Sequence, residues 1–173
     1  RLTPGMSQRI LPGRKHRIKR TDRFLGNAGV DLAALSRALL WWASTTGQRL
    51  VLALDWTDLP GGKKMLTLSV PTRGRALPVH SRVVDESRMH KSQNSLEEGL
   101  LRELTTLLPP GLKPVIVADR GFGRTRLMQQ LSGWGYGFVL RVTGTAVFRC
   151  GSVKRRVQTV GLRRGQTLVF RSV

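Results

Sequence analysis

Two short stretches carry the residues that could do chemistry. KPVIVADRGFG, residues 113–123, runs an apolar stretch straight into Asp119 and a Gly-Phe-Gly turn; RLVLALDWTDL, residues 49–59, does the same with Asp55. A carboxylate at the tip of an apolar strand is costly unless something pairs with it. If the two strands are neighbours, the acids meet at one edge of a sheet. At ~4 Å and an effective dielectric near 20, two such charges repel by about 4 kcal/mol. A divalent cation removes that penalty, and Mg²⁺ prefers a few carboxylates plus water and phosphate oxygens. Paired acids, Mg²⁺ and a basic surface are the parts of metal-assisted phosphodiester chemistry, in which two ions roughly 3.5–4 Å apart act on the attacking and leaving oxygens. The plainer reading of either Asp alone is a turn former or helix cap.

The elements that must position these acids follow from periodicity. DLAALSRALLWWAST (31–45) reads as an amphipathic helix with Asp31 as N-cap, Leu32, Leu35, Leu39 and Trp42 on one face, and Gly47 closing it. RLVLALDW (49–56) reads as a buried strand. KKMLTLSV (63–70) and ALPVHSRVV (76–84) follow as strands joined by the PTRGR turn. SLEEGLLRELTTLLPP is a helix opened by a Ser95–Glu98 capping box, striped by Leu96, Leu100, Leu104, Leu107 and Leu108, and stopped by Pro109-Pro110. KPVIVAD (113–119) and YGFVLRV (136–142) are further strands, separated by a helix that Thr125 can cap. Short turns make the first three strands antiparallel, and helical crossovers make the later ones parallel. The expected fold is α/β, a mixed sheet with helices on its faces and functional groups at strand ends.

The chain has 173 residues, enough for one domain with an appendage and for burial of roughly 70% of its unfolded surface. Its 30 Lys+Arg against 10 Asp+Glu give a net charge of +20, which points to a polyanionic partner, most often nucleic acid. One cysteine, Cys150, excludes an internal disulfide and fits a reducing compartment. No stretch approaches a membrane span and no secretory signal is visible. The chain begins with Arg1 and breaks off within an apparent strand, TLVFRSV, so a fragment of a longer protein is expected.

The segments RTDRFLGN, LALDWTDL, VHSRVVDES, VIVADRGFGRTRLMQQL and GYGFVLRV, in this order, resemble bacterial insertion-sequence transposases of the Asp-Asp-Glu type, in the subgroup with a Tyr-Arg-Glu-Lys signature. The resemblance implies a ribonuclease-H-like core with Asp55 and Asp119 as the first two catalytic acids and metal ligands. It implies Mg²⁺ (Mn²⁺ as an alternative) at a two-metal site, nicking at element ends, and strand transfer into target DNA, that is, DNA transposition and recombination. Double-stranded DNA, paired protomers upon it, and a bacterial cytoplasmic, nucleoid-associated location follow from the same likeness. Residues 1–47 are then a basic segment and helix, 48–142 the core, and 143–173 the start of a β-rich insertion. The pattern is incomplete. The 54 residues after Asp119 contain no Asp or Glu, so the third acid is missing and the chain is expected to be inactive alone.

Basic residues surround this framework. Residues 1–24 hold eight Lys/Arg and one Asp, with early Pro and Gly arguing against a continuous helix. Arg14, Lys15, Arg17, Lys19 and Arg20 are expected to contact DNA phosphates, and Arg120, Arg124 and Arg126 to steer the backbone towards the second acid. Glu97, Glu98 and Glu103 are assigned to capping and solvation, Asp58 to a turn, and Asp85 and Glu86 to a strand end. His16, His80 and His90 lack metal-ligand spacing, and LPGGKK is a hairpin turn without the full phosphate-loop spacing. Trp42 and Trp134 are assigned to the core and Trp41 to partial exposure. Three other readings stand beside the transposase: a non-catalytic DNA-binding remnant or regulatory fragment, a complete ribonuclease-H-like structure-specific nuclease using Asp58 or Asp85 as third acid, and a basic RNA-associated α/β domain.

Overall fold

A computed structural model describes residues 14–45, 47, 49–89 and 92–169. The chain divides into two units, Arg1–Ala34 and Leu35–Val173. In the first, helix α1 spans Arg14–Leu25 and carries the whole basic cluster. The early Pro and Gly lie in residues 1–13, outside the described residues, and the helix begins directly after Gly13. The basic run itself contains neither breaker, so it is helical where the sequence reading left it irregular.

Helix α2, Leu32–Ser44, starts at Asp31, whose Oδ1 accepts the backbone N–H groups of Ala33 and Ala34 at 2.9 Å each. Its buried residues are Ser36, Leu40 and Ala43. The expected leucine face is corrected: Leu32 is 69% exposed and Trp42 54% exposed. Two apolar stripes compete on this helix. The smaller side chains of Ser36 and Ala43 let it approach its neighbours more closely than a leucine and tryptophan face would.

The core of the second unit is built on a five-stranded sheet. Strands β1 (Val51–Leu59), β2 (Lys63–Thr72) and β3 (Arg75–Asp85) form an antiparallel meander. Pro60-Gly61-Gly62 turns the first hairpin with φ of 77° and 66° at the two glycines, a left-handed pair that side chains resist. Helix α3 (Gln93–Leu107) then crosses to β4 (Val115–Ala118), and α4 (Thr125–Gly133) to β5 (Gly137–Leu140), giving the order β3-β2-β1-β4-β5. Both β1–β4 and β4–β5 are parallel. A separate two-stranded antiparallel sheet, β6 (Val147–Cys150) and β7 (Val153–Arg156), occupies the tail. The apparent strand TLVFRSV is absent over its described residues, 167–169.

Cross-strand partners Leu52, Leu54, Leu66, Leu68 and Ile116 point to one face and are all at most 2% exposed. Leu100, Leu101 and Leu104 of α3 and Leu127 and Leu131 of α4 are each 0% exposed. Fully burying each such leucine contributes about 1.5–3 kcal/mol. Side-chain bonds from α2 and α4 to this same layer show that α2, α3 and α4 share one side of the sheet. The opposite face carries Val83 and Val139, 52% and 61% exposed. The expectation of helices on the faces of the sheet is thus met on one: α3 and α4 lie there because successive right-handed crossovers in one direction put their helices on one side, and α2 joins them through the Ser36–His80 contact.

Helix starts also differ from expectation. Ser92, not Ser95, is the N-cap of α3, without a side-chain cap bond, and Arg124 precedes α4, whose first residue is Thr125. Glu98 cannot complete a capping box because its carboxylate is used elsewhere. Among the described residues, no helix is long and apolar enough to cross a membrane.

Candidate functional site

The parallel register of β1 and β4 runs from Val51↔Val115 to Leu54↔Ala118. One residue further on each chain lie Asp55 and Asp119. Adjacent parallel strands are ~4.8 Å apart, and residues at one register position share a face. The sheet therefore brings the two acids to one edge from positions 64 residues apart in the chain. Both are exposed, and among the described residues no Lys or Arg bridges to either.

The two positions are held differently. Asp119 leaves β4 with extended backbone, and its Oδ1 accepts Gly121 N–H at 2.8 Å, so it is a turn former as well as half of the pair. Phe122, 2% exposed, anchors the following turn in the core. Gly123 is required by a close approach: a Cβ there would sit 2.9 Å from the carbonyl oxygen of Arg141. Asp55 does not end its strand, as expected, but lies within it. Beyond the parallel pairing, β1 continues beside β2, where Asp55 faces Thr67 and Asp58 faces Lys64. Thr67 Oγ1 is buried with no hydrogen-bond partner among the described residues. A buried hydroxyl without a partner, opposite the exposed Asp55, makes a polar niche on the β2 side of β1.

No third acid joins this pair. Among the described residues, no group of three or more His, Cys, Asp or Glu could hold a metal. Asp58 is not in a turn but bridged to Lys64 at 3.4 Å, and Glu86 meets the same lysine at 3.1 Å. The hydrogen bonds that Lys64 donates to Glu86 and Asp58, followed by the charges of the two carboxylates, raise the Lys64 pKa. Asp85 ends β3, two strands away from β1.

The arginines flanking Asp119 divide. Arg120 is exposed in the turn beside it. Arg124 instead forms an ion pair with Glu97, which is 1% exposed, although none of its N–H groups makes an aligned hydrogen bond among the described residues. Trp56 Nε1 donates to the other Glu97 oxygen at 2.8 Å, and Gln93 Nε2 does so at 3.2 Å. Arg126 grips Glu98 through two contacts of 3.0 Å, with Gln130 adding a third at 3.1 Å. Burial pushes the Glu98 carboxyl up, but the bonds from Gln130 and Arg126 and the charges of Arg126 and Arg124 outweigh it and hold it below its ordinary 4.5.

Glu97 and Glu98 are therefore corrected from capping and solvent to buried ion pairs. The available signal was spacing, since Glu97 lies four residues before Leu101 and three before Leu100, on the stripe facing the sheet. His80 is likewise not a scattered surface residue. It meets Ser36 Oγ through Nδ1 at 3.3 Å and Glu103 through Nε2 at 3.1 Å, while Arg82 also pairs with Glu103. His16 is exposed on α1, and His90 lies outside the described residues. Trp134 is half-buried against Tyr136, their rings 6.0 Å apart, and burial raises the Tyr136 pKa. On α1, the Lys15, Lys19 and Arg20 side chains are exposed; Arg14 and Arg17 share the helix.

Comparison with known proteins changes the partner. No family model and no solved structure matches the chain. Relatives are found among proteins named tRNA dimethylallyltransferase. That of Mycolicibacterium smegmatis is 30% identical over 118 residues, 64% of this chain and 37% of its own length. Those of Mycolicibacterium gilvum and Mycolicibacterium vanbaalenii are each 30% identical over 122 residues, 66% of this chain and 37% and 38% of their own lengths. The chain thus spans little more than a third of the curated relatives it matches.

The expectation of an insertion-sequence transposase is corrected by these names, which refer to tRNA and not to DNA transposition or recombination. Double-stranded DNA as partner and paired protomers upon it fall with it. The physical reason is that the motifs carrying that likeness encode a strand, an acid and a glycine turn, and a surface of +20 attracts the phosphates of either nucleic acid.

Proposed function

We propose that this chain is the RNA-directed part of an enzyme acting on structured RNA of the tRNA class, with Asp55 and Asp119 holding a Mg²⁺ ion against an RNA phosphate. One observation carries the reading: the β1–β4 register that brings two carboxylates without Lys or Arg partners among the described residues to one sheet edge on a strongly cationic chain. The tRNA named in the relatives supports the choice of RNA. The sheet order β3-β2-β1-β4-β5, three antiparallel strands followed by two parallel ones, supports a ribonuclease-H-like arrangement.

The donors suit the ion. Two hard carboxylates supply part of a Mg²⁺ shell, and water and phosphate oxygens complete it. The ion would neutralise the pair and polarise a phosphate oxygen. The chain's own residues do the rest: Asp119 is oriented by Gly121 N–H, Arg120 offers a cation beside it, and α1 offers Lys15, Lys19 and Arg20 to the RNA backbone.

Two measurements test this. Purified chain is titrated with unmodified tRNA and with duplex DNA of equal charge at increasing salt. The reading expects tRNA to bind more tightly, losing a thousandfold or more between roughly 50 and 200 mM salt if about six phosphates are neutralised; tighter binding of duplex DNA overturns it. Calorimetric titration with MgCl₂ alone should give a heat that Asp55→Asn and Asp119→Asn each abolish. Unchanged Mg²⁺ binding by both variants removes the metal assignment.

A further inference from the structure

A groove of about 450 Å³ opens where the end of α2 meets the start of β1 and the end of β2. Trp42 forms one wall, Leu50, Val51, Val70 and Pro71 line it, and Arg49 stands at its side. The groove belongs to the amino end of β1. Four residues of strand, ~13 Å at about 3.3 Å per residue, separate Val51 from Asp55, which lies just past the far end of the β1–β4 pairing. It is therefore distinct from the acid pair.

Three properties define its ligand. The first is a presented indole. Because α2 turns Ser36, Leu40 and Ala43 inward, Trp42 is left 54% exposed. A tryptophan carries one of the largest apolar surfaces of any side chain, so leaving it in water forfeits burial that a flat ligand would restore. The second is charge. Arg49 is exposed and has no carboxylate partner among the described residues. None of the ten acids of the chain lines the groove, so Arg49 is the one charged side chain among its lining residues. The third is size: the volume falls at the lower end of the ~300–1,000 Å³ typical of small-ligand sites and suits a single nucleoside.

We propose that this groove is a subsite for one unpaired RNA base and its phosphate, the base stacking on Trp42 and the phosphate meeting Arg49. The inference rests on the RNA reading above and deepens it. Duplex positions cannot enter, because a paired base presents no free face; loops and single-stranded ends can. Stacking recognises any base, so the subsite selects unpaired structure and not sequence. An arginine beside an aromatic plane suits it, since its planar guanidinium bonds phosphate in forked geometry.

The test uses the full chain and a single-stranded hexauridylate analogue with one central 2-aminopurine, followed by that base's fluorescence. Wild type should quench the emission on binding. Trp42→Ala should lose the quenching and weaken binding about 5- to 150-fold, the range for one stacked base. Trp42→Phe should retain part of both, and keeps the test decisive if the alanine variant fails to fold by circular dichroism. Arg49→Gln should make the salt dependence of log K shallower by about 0.7, one single-strand phosphate.

Wild-type binding of tRNA and hexamer that Trp42→Ala and Arg49→Gln leave unchanged would overturn the subsite while sparing the RNA reading. Quenching lost with Trp41→Ala but kept with Trp42→Ala would overturn it too, as would an equal loss of affinity for fully paired duplex DNA. Absence of any binding to tRNA and hexamer would overturn both.

Discussion

At the residue scale, Glu97 is met by three different side chains, more partners than any other acid has among the described residues. Arg124 meets one of its oxygens, Trp56 and Gln93 the other, and it is 1% exposed. Removing one partner of a buried ion pair leaves the other charge desolvated and alone. Glu97→Ala is expected to lower the free energy of unfolding in urea by about 3 kcal/mol, whereas Glu97→Gln should lose less because it can still accept from Trp56. Glu98 makes a prediction in pH. Its folded pKa lies below its unfolded 4.5, so the associated stability is complete above 4.5 and is lost as pH falls through the folded value. Glu98→Gln should flatten the acid limb of a plot of urea midpoint against pH, and an unchanged limb would place the acid sensitivity elsewhere.

At the element scale, the turn after β4 and the β1–β4 register carry the site. Gly123 has an ordinary negative φ of −74°, so its requirement is space and not backbone freedom. In Gly123→Ala the new Cβ would meet the Arg141 carbonyl at 2.9 Å and the Arg120 carbonyl at 3.3 Å. Overpacking of this kind costs about 1–3 kcal/mol. The loss should appear as a lower Tm together with weaker Mg²⁺ binding, because the same turn aims Asp119. The register makes a prediction of opposite sign. With chelator present, Asp55→Asn should stabilise the protein by up to about 1 kcal/mol, as expected for relief of one exposed like-charge pair. Saturating MgCl₂ should raise the Tm of wild type and not that of the variant. A fall in stability on Asp55→Asn in chelator would mean that the acids do not repel.

At the scale of the whole molecule, charge and shape separate two roles. The sheet buries its leucines under α2, α3 and α4, and the net charge of +20 opposes compaction without choosing a fold. That charge instead predicts association governed by counterion release, steep in salt and indifferent to sequence. A bound polyanion should accordingly raise the Tm of the chain at low salt, and the rise should vanish near 0.5 M salt on the order of a threefold shorter screening length. A Tm that tRNA does not shift at low salt would deny the surface this role.

Strand directions, the position of each acid after an apolar run and the charge were legible in the chain because each rests on local pattern: apolar runs, short turns, and residue counts. The antiparallel meander followed by parallel crossovers could be read from connection lengths alone, and so could Asp31 as a cap. Which face of α2 is buried could not, since Leu32, Leu35 and Trp42 make as good a stripe as Ser36, Leu40 and Ala43 until the sheet chooses between them. Nor could the sequence assign Arg124 and Arg126, which served equally as phosphate ligands or as partners of Glu97 and Glu98. The kind of polyanion also escaped it, because a phosphate contact is the same on RNA and DNA. Sequence determined what each segment must hide and how strongly the surface is charged; only tertiary packing decided which polar groups are spent on one another and which remain for a ligand, because that depends on neighbours distant along the chain.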